Sequence, residues 1–160
     1  MSNVVGVTAP TKQQENGMTR VIYTNKAGKG VGTASFRPWG YVVIIREDYK
    51  KDKGLLNHEL FHARGNLLTQ WRNWLIRAFD KEEYYEEEVD AFAIQLHTYY
   101  LEGVSGHVID SRFVKFANFI REKYGFKPAL TKDVNADLRQ EVMALMREGL
   151  PAFLPNPQQK

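Results

Sequence analysis

The run His58-Glu59-Leu60-Phe61-His62 constrains this chain more than any other five residues, because its chemistry asks for a helix. On an α-helix, residues four apart lie about 40° apart round the axis and one turn along it. His58 and His62 then project from one face and can reach a single metal ion. Glu59 stands about 100° round, beside that ion rather than on it. From there its carboxylate takes a proton from a water held by the metal. Two ligands and one base make up most of a hydrolytic site.

The flanking residues suit such a helix. Tyr41-Val-Val-Ile-Ile-Arg46 is a β-branched and aromatic run that reads as a strand, and Glu47 to Gly54 is polar and loop-like. Asp52 is placed to cap the helix that carries Leu55, Leu56 and the motif, and Gly65 to end it. Upstream, Thr19 to Thr24 reads as a strand, Asn25 to Gly30 as a turn, and Val31 to Phe36 as a second strand pairing back on the first. Arg37-Pro-Trp-Gly40 turns the chain into the third. The glycines at 28, 30 and 32 fit a hairpin turn; a phosphate loop would need a helix and a G-K-[ST] that do not follow.

From residue 53 onward helices dominate. Leu67, Leu68, Trp71, Trp74, Leu75 and Phe79 form an apolar stripe expected to fill the space between two metal-bearing helices. Further helices are expected through Phe92, Ile94, Leu96 and Tyr100, from about 111 to 124, and from 134 to 147. The fold class expected is α+β: a small N-terminal antiparallel sheet of about three strands packed on the active-site helix, with a helical C-terminal half. Residues 1–18 read as an arm, 19–148 as one domain, and 149–160 as a Pro-rich tail that either docks Phe153 and Leu154 or stays loose.

A catalytic zinc takes three protein ligands and leaves its fourth position to water. Metzincins read H-E-x-x-H-x-x-G-x-x-H, but Leu68 occupies the last position and cannot bind zinc. The third ligand must then come from a later helix. In Glu83-Tyr-Tyr-Glu-Glu-Glu-Val-Asp90, a four-residue spacing puts Glu86 and Asp90 on one face. Glu86 is the expected third ligand, with Asp90 accepting a hydrogen bond from the far nitrogen of a ligand histidine, His58 first. Glu88 is the alternative, and Glu87 falls on the wrong side.

Glu86-Glu-Glu-Val-Asp-Ala-Phe-Ala93, together with the H-E-x-x-H run, resembles the E-x-x-A-D-x-F-A segment of gluzincins. It is similar to the CAAX-processing and heat-shock endopeptidases and to small soluble ImmA/IrrE-type proteins. The likeness spans about 41 to 96 and departs from the pattern at Val89, where alanine is usual. It implies a zincin-like fold and a metallopeptidase, with a tyrosine or histidine that stabilises the oxyanion. Tyr99 and Tyr100 are the first candidates for that role, and His97 and His107 the others.

Composition limits the remainder. There is no cysteine, so no disulfide, thiol nucleophile or Cys-based zinc knuckle is available. A net charge of +3, spread along the chain, gives no expectation of nucleic acid binding. No secretory signal or membrane span is evident, so a soluble protein is expected, cytoplasmic or particle-associated. The expected activity is zinc-dependent hydrolysis of protein or peptide substrates, with the peptide along an exposed edge of strand 41–46. Arg64 is placed to meet a substrate carboxylate or to form an ion pair. The alternatives are a peptidoglycan cross-link peptidase, or a structural module docked by its termini in a larger assembly, with zinc kept for stability or for a vestigial or latent peptidase activity.

Overall fold

The computed structural model describes residues 19–25 and 30–158. The expected N-terminal arm lies outside the described residues, as does most of the turn from Asn25 to Gly30. The fold is α+β: strands β1 (Arg20–Thr24), β2 (Gly32–Arg37) and β3 (Gly40–Arg46) are followed by a 3₁₀ turn at Glu47–Tyr49. Five helices complete it: α1 (Lys53–His62), α2 (Leu67–Phe79), α3 (Lys81–Leu101), α4 (Gly106–Lys123) and α5 (Val134–Glu148). None of these helices is long and apolar enough to cross a membrane.

The sheet corrects the expected pairing. Its order is β1-β3-β2, with β1 parallel and β2 antiparallel to β3, so it is mixed rather than antiparallel. β2 does not pair back on β1, because β3 inserts between them. β3 is the most apolar strand and buries Tyr41, Val43 and Ile45 on one face, so the central position suits it. Strand 41–46 therefore has no free edge to offer a peptide, and among the described residues the outer edge of β2 is unpaired. The bond from Arg46 N–H to Val31 C=O sets the antiparallel alternation, so the amides of Gly32, Ala34 and Phe36 point away from β3.

Tyr41, Val43 and Ile45 pack on Leu55 and Ala63 around α1. On the other side α3 passes through the middle of the molecule. Its Tyr85, Val89, Phe92 and Leu96 meet Phe113, Ala117 and Ile120 of α4 and Leu138 of α5. Its Ala91 and Ile94 meet Phe61 of α1 and Leu154 of the tail. Of the two expectations for the tail, docking is the one observed: Leu154 is buried and the Pro155 carbonyl accepts from Asn57 Nδ2 at 3.0 Å.

α2 reverses an expectation. Its apolar stripe does not fill the space between α1 and α3. The helix turns Gln70, Asn73 and Arg77 inward and leaves Leu68, Leu75 and Phe79 outside. The inward face is polar because of what it meets. Gln70 receives the Tyr41 N–H at 3.1 Å, where β3 runs past the start of β1, and donates to the Ala63 carbonyl at 2.8 Å at the end of α1. One buried amide thus satisfies two backbone groups that no ladder or helix bond reaches.

Candidate metal centre

α1 is fixed at its start, its middle and its end. Asp52 caps it, with Oδ1 accepting the Leu55 N–H at 2.8 Å, as the sequence suggested. Asp52 is itself held by the Tyr99 hydroxyl, which donates to Oδ2 at 2.9 Å and accepts from Gln95 Nε2 at 2.7 Å. Gly54 lies flat against the Tyr99 ring, where any Cβ would collide with it. Asn57, next to the motif, donates to Thr98 Oγ1 at 3.0 Å as well as to the tail.

Helix pitch then brings the two imidazoles together as expected, with the Nε2 atoms of His58 and His62 3.2 Å apart. The third group is Glu88. Its Oε1 lies 3.4 Å from His62 Nε2 and its Oε2 4.0 Å from His58 Nε2. His58, His62 and Glu88 are all buried, and each offers one atom to a group whose members lie within 4.8 Å of one another. Two nitrogens bound to a tetrahedral zinc at about 2.0–2.1 Å stand about 3.3 Å apart, which the histidine pair matches. The Glu88 Oε2 atom is buried without a hydrogen-bond partner. A buried orphan of that kind calls for a proton or a cation. Among the described residues, this is the group that could hold a metal ion.

Glu86 is not part of it. It is exposed on the opposite side of α3, lining a surface cleft with Asp90, Asp137 and Glu141. Asp90 also misses its expected partner: burial and the neighbouring Glu141 push its carboxyl up to about 6, and no histidine faces it. The helical register explains both. α3 packs through Tyr85, Val89, Phe92 and Leu96, and Glu88 continues that stripe, whereas the Glu86–Asp90 face turns toward α5. The outer carboxylate is Glu87, which the spacing argument had set aside. Its Oε1 faces His62 Nδ1 at 3.7 Å, while Arg64 Nη1 and Arg77 Nε each donate to it at 2.9 Å. Arg64 thus takes the ion-pair role. Hydrogen bonding with His62 and with Arg77, and the charges of both, hold Glu87 well below the usual carboxylate range despite its burial.

The titration of the site follows from its burial. Burial and the neighbouring charge of His62 pull His58 down to about 3, so it is neutral and ready to bind a metal. Burial acts the same way on His62, but the charge of Glu88 and hydrogen bonding with Glu87 and Glu88 outweigh it and hold His62 up at about 9. Without a metal, His62 therefore holds its proton at neutral pH beside Glu88. Burial, with Glu88 adding, raises Glu59 to about 7, against the pull of His62 and of the Ala34 backbone amide. That value suits a group that must take up and return a proton near neutrality. Glu59 stands where β2 passes closest: a Cβ on Gly32 would come within 2.9 Å of Glu59 Oε1.

The expected oxyanion stabilisers are elsewhere. Tyr99 is committed to Asp52, Tyr100 is exposed, His97 stacks on Tyr100, and His107 is exposed. Two other tyrosines face the metal group. Burial and the charge of Glu88 push both Tyr84 and Tyr124 above the ordinary phenol range, and Tyr124 also feels Glu59. Tyr84 could have been found from its four-residue spacing to Glu88. Tyr124 lies beyond α4 and carries no local signal.

Compared with known protein families, with curated proteins and with solved structures, the chain matches none.

Proposed function

We propose that this protein is a zinc-dependent peptidase of the gluzincin type, cutting peptide bonds in protein or peptide substrates. The observation that carries this is the buried His58–His62–Glu88 group with Glu59 beside it, its carboxyl raised to about 7. A structural zinc has no use for a base at that position. Bound by those three residues, zinc would acidify a water and polarise the scissile carbonyl. Glu59 takes the proton from the attacking water and hands it to the leaving amine, a role that its position next to both β2 and the metal group supports. Glu87, braced by Arg64 and Arg77, orients His62. Tyr124, kept protonated, donates to the developing oxyanion. The substrate lies along the outer edge of β2, where the amides of Gly32 and Phe36 point outward and main-chain pairing tolerates many sequences.

Elemental analysis should find one zinc per chain, lost in His58→Ala and in Glu88→Gln. Glu59→Gln should keep the zinc and lose cleavage of a peptide library. A zinc-loaded wild type that cleaves no faster than Glu59→Gln on any substrate refutes the proposal.

A further inference from the structure

α2 is an inside-out helix. Its buried face carries Gln70 at 0 % and Asn73 at 3 % exposure, while Leu68 is 79 % and Phe79 82 % exposed on the opposite face. Trp71, Trp74 and Leu75 lie between them, each about two-fifths exposed, with the two tryptophans resting on Phe36 of β2. Leu68, Trp71, Leu75 and Phe79 follow one another at three- and four-residue steps, a straight stripe about 16 Å long. A continuous apolar face of this kind marks a contact surface.

We infer that the stripe is a twofold contact between two copies of this chain, with α2 packed antiparallel on its partner's α2. The pattern of the stripe is what points to a second copy. Set antiparallel about a dyad near Asn73, Leu68 meets the end that carries the partner's Phe79, and Trp71 meets the partner's Leu75. Each small side chain opposes a large one at every level, so the stripe is complementary to itself, as an isologous interface must be. The charges agree. Arg72 and Arg77 are the only charged residues of α2, and they are already paired with Glu83 and Glu87. Association buries no new unpaired ion. The same pairing argues against a lipid surface, since neither cation is left for a phosphate and the residues after Phe79 carry three carboxylates (Asp80, Glu82 and Glu83) against one lysine, Lys81. The size also agrees. With aromatic side chains of about 150–250 Å², the five residues leave on the order of 600 Å² exposed per chain. Two copies would bury at most about 1,200 Å², the lower edge of specific interfaces. The dimer is therefore concentration-dependent.

Sedimentation velocity of the full chain from about 1 to about 200 µM should show the monomer giving way to a species of twice its mass. Leu75→Glu places two carboxylates close to the dyad on an already exposed position. It should remain folded by circular dichroism and sediment as a monomer throughout. The chain has no cysteine, so an oxidative cross-link reports geometry directly. Leu68→Cys combined with Phe79→Cys should cross-link two chains under mild oxidation, while Leu68→Cys alone should not, because its partner lies a stripe's length away. A wild type that is monomeric at the highest concentration overturns the inference. So does a dimer that survives Leu75→Glu, or equal cross-linking by the single and double variants. None of these readouts depends on zinc or on cleavage.

Discussion

Glu86, Glu87 and Glu88 are consecutive and chemically identical, and replacing each with glutamine should have three different consequences. Glu87 is buried and accepts from Arg64 and Arg77 at 2.9 Å each. Glutamine preserves the volume but removes the charge and one acceptor oxygen. A hydrogen bond to a charged group contributes about 1.5–3 kcal/mol, and breaking a buried ion pair costs about 3–5 kcal/mol. Arg77 is only 18 % exposed and cannot recover its loss, whereas Arg64, at 29 %, regains part of its own from water. The expected cost is about 3 kcal/mol, which for a chain of this size lowers the melting temperature by roughly 6–12 °C. With Glu87 in the orienting role proposed for it, zinc affinity should fall about 10–100-fold. Glu86→Gln, one residue away on the exposed face, should stay within about 0.5 kcal/mol of wild type and leave zinc affinity alone. Glu88→Gln should abolish stoichiometric zinc binding. Thermal melts in the presence of a chelator and zinc competition against a chromophoric chelator read the two quantities separately. If Glu86→Gln weakened zinc as much as Glu88→Gln, or if Glu87→Gln melted with wild type, the account of α3 would be wrong.

Three further outcomes are expected. His62 and Glu59 have folded-state values of about 9 and about 7, above their ordinary ones, so their contribution to stability is present at low pH and lost as pH rises through those values. His58, depressed to about 3, contributes in the opposite sense, losing stability as pH falls below its ordinary range. Melts of metal-free protein should therefore peak near pH 5–6 and fall toward pH 9, while zinc affinity rises over the same interval as His62 gives up its proton. Gly32→Ala should keep zinc but lower the rate of any peptide cleavage at least tenfold, because its Cβ must displace Glu59; an unchanged rate would mean that Glu59 does not act from its place beside Gly32. Leu154→Ala should cost about 2–4 kcal/mol in chemical denaturation, like other buried leucines, and a neutral result would mean the tail is not docked.

What the sequence disclosed and what it hid divide along the range of the interactions involved. The histidine pair, the Asp52 cap and the extents of α3 and α5 follow from periodicities a few residues long, and these were legible. Strand order was not, because the choice between β1 and β3 as partner for β2 depends on which strand the core most needs to bury. For the third member of the buried group, the sequence put Glu86 first and Glu88 second, and the structure brings Glu88 to the histidines. The Glu86–Asp90 spacing was correct as a statement about one helical face, but the packing of Tyr85, Val89 and Phe92 decides which face meets α1. α2 shows the opposite failure. Its apolar stripe read as core, yet two unsatisfied backbone groups, the Tyr41 amide and the Ala63 carbonyl, drew Gln70 inward and turned the stripe out.

The bond between Asn57 and Pro155 joins residues 98 positions apart, and it adjoins the first histidine of the motif. A contact so distant in sequence closes a long loop, at an entropic cost that shorter contacts do not carry. On a ribosome, the segment 53–62 would leave the tunnel long before the residues that clamp it exist. The α1 helix can form early, but its seat between α3 and the segment around Leu154 and Pro155 cannot be completed until that segment has been made. A competent site would then wait for that segment to be made.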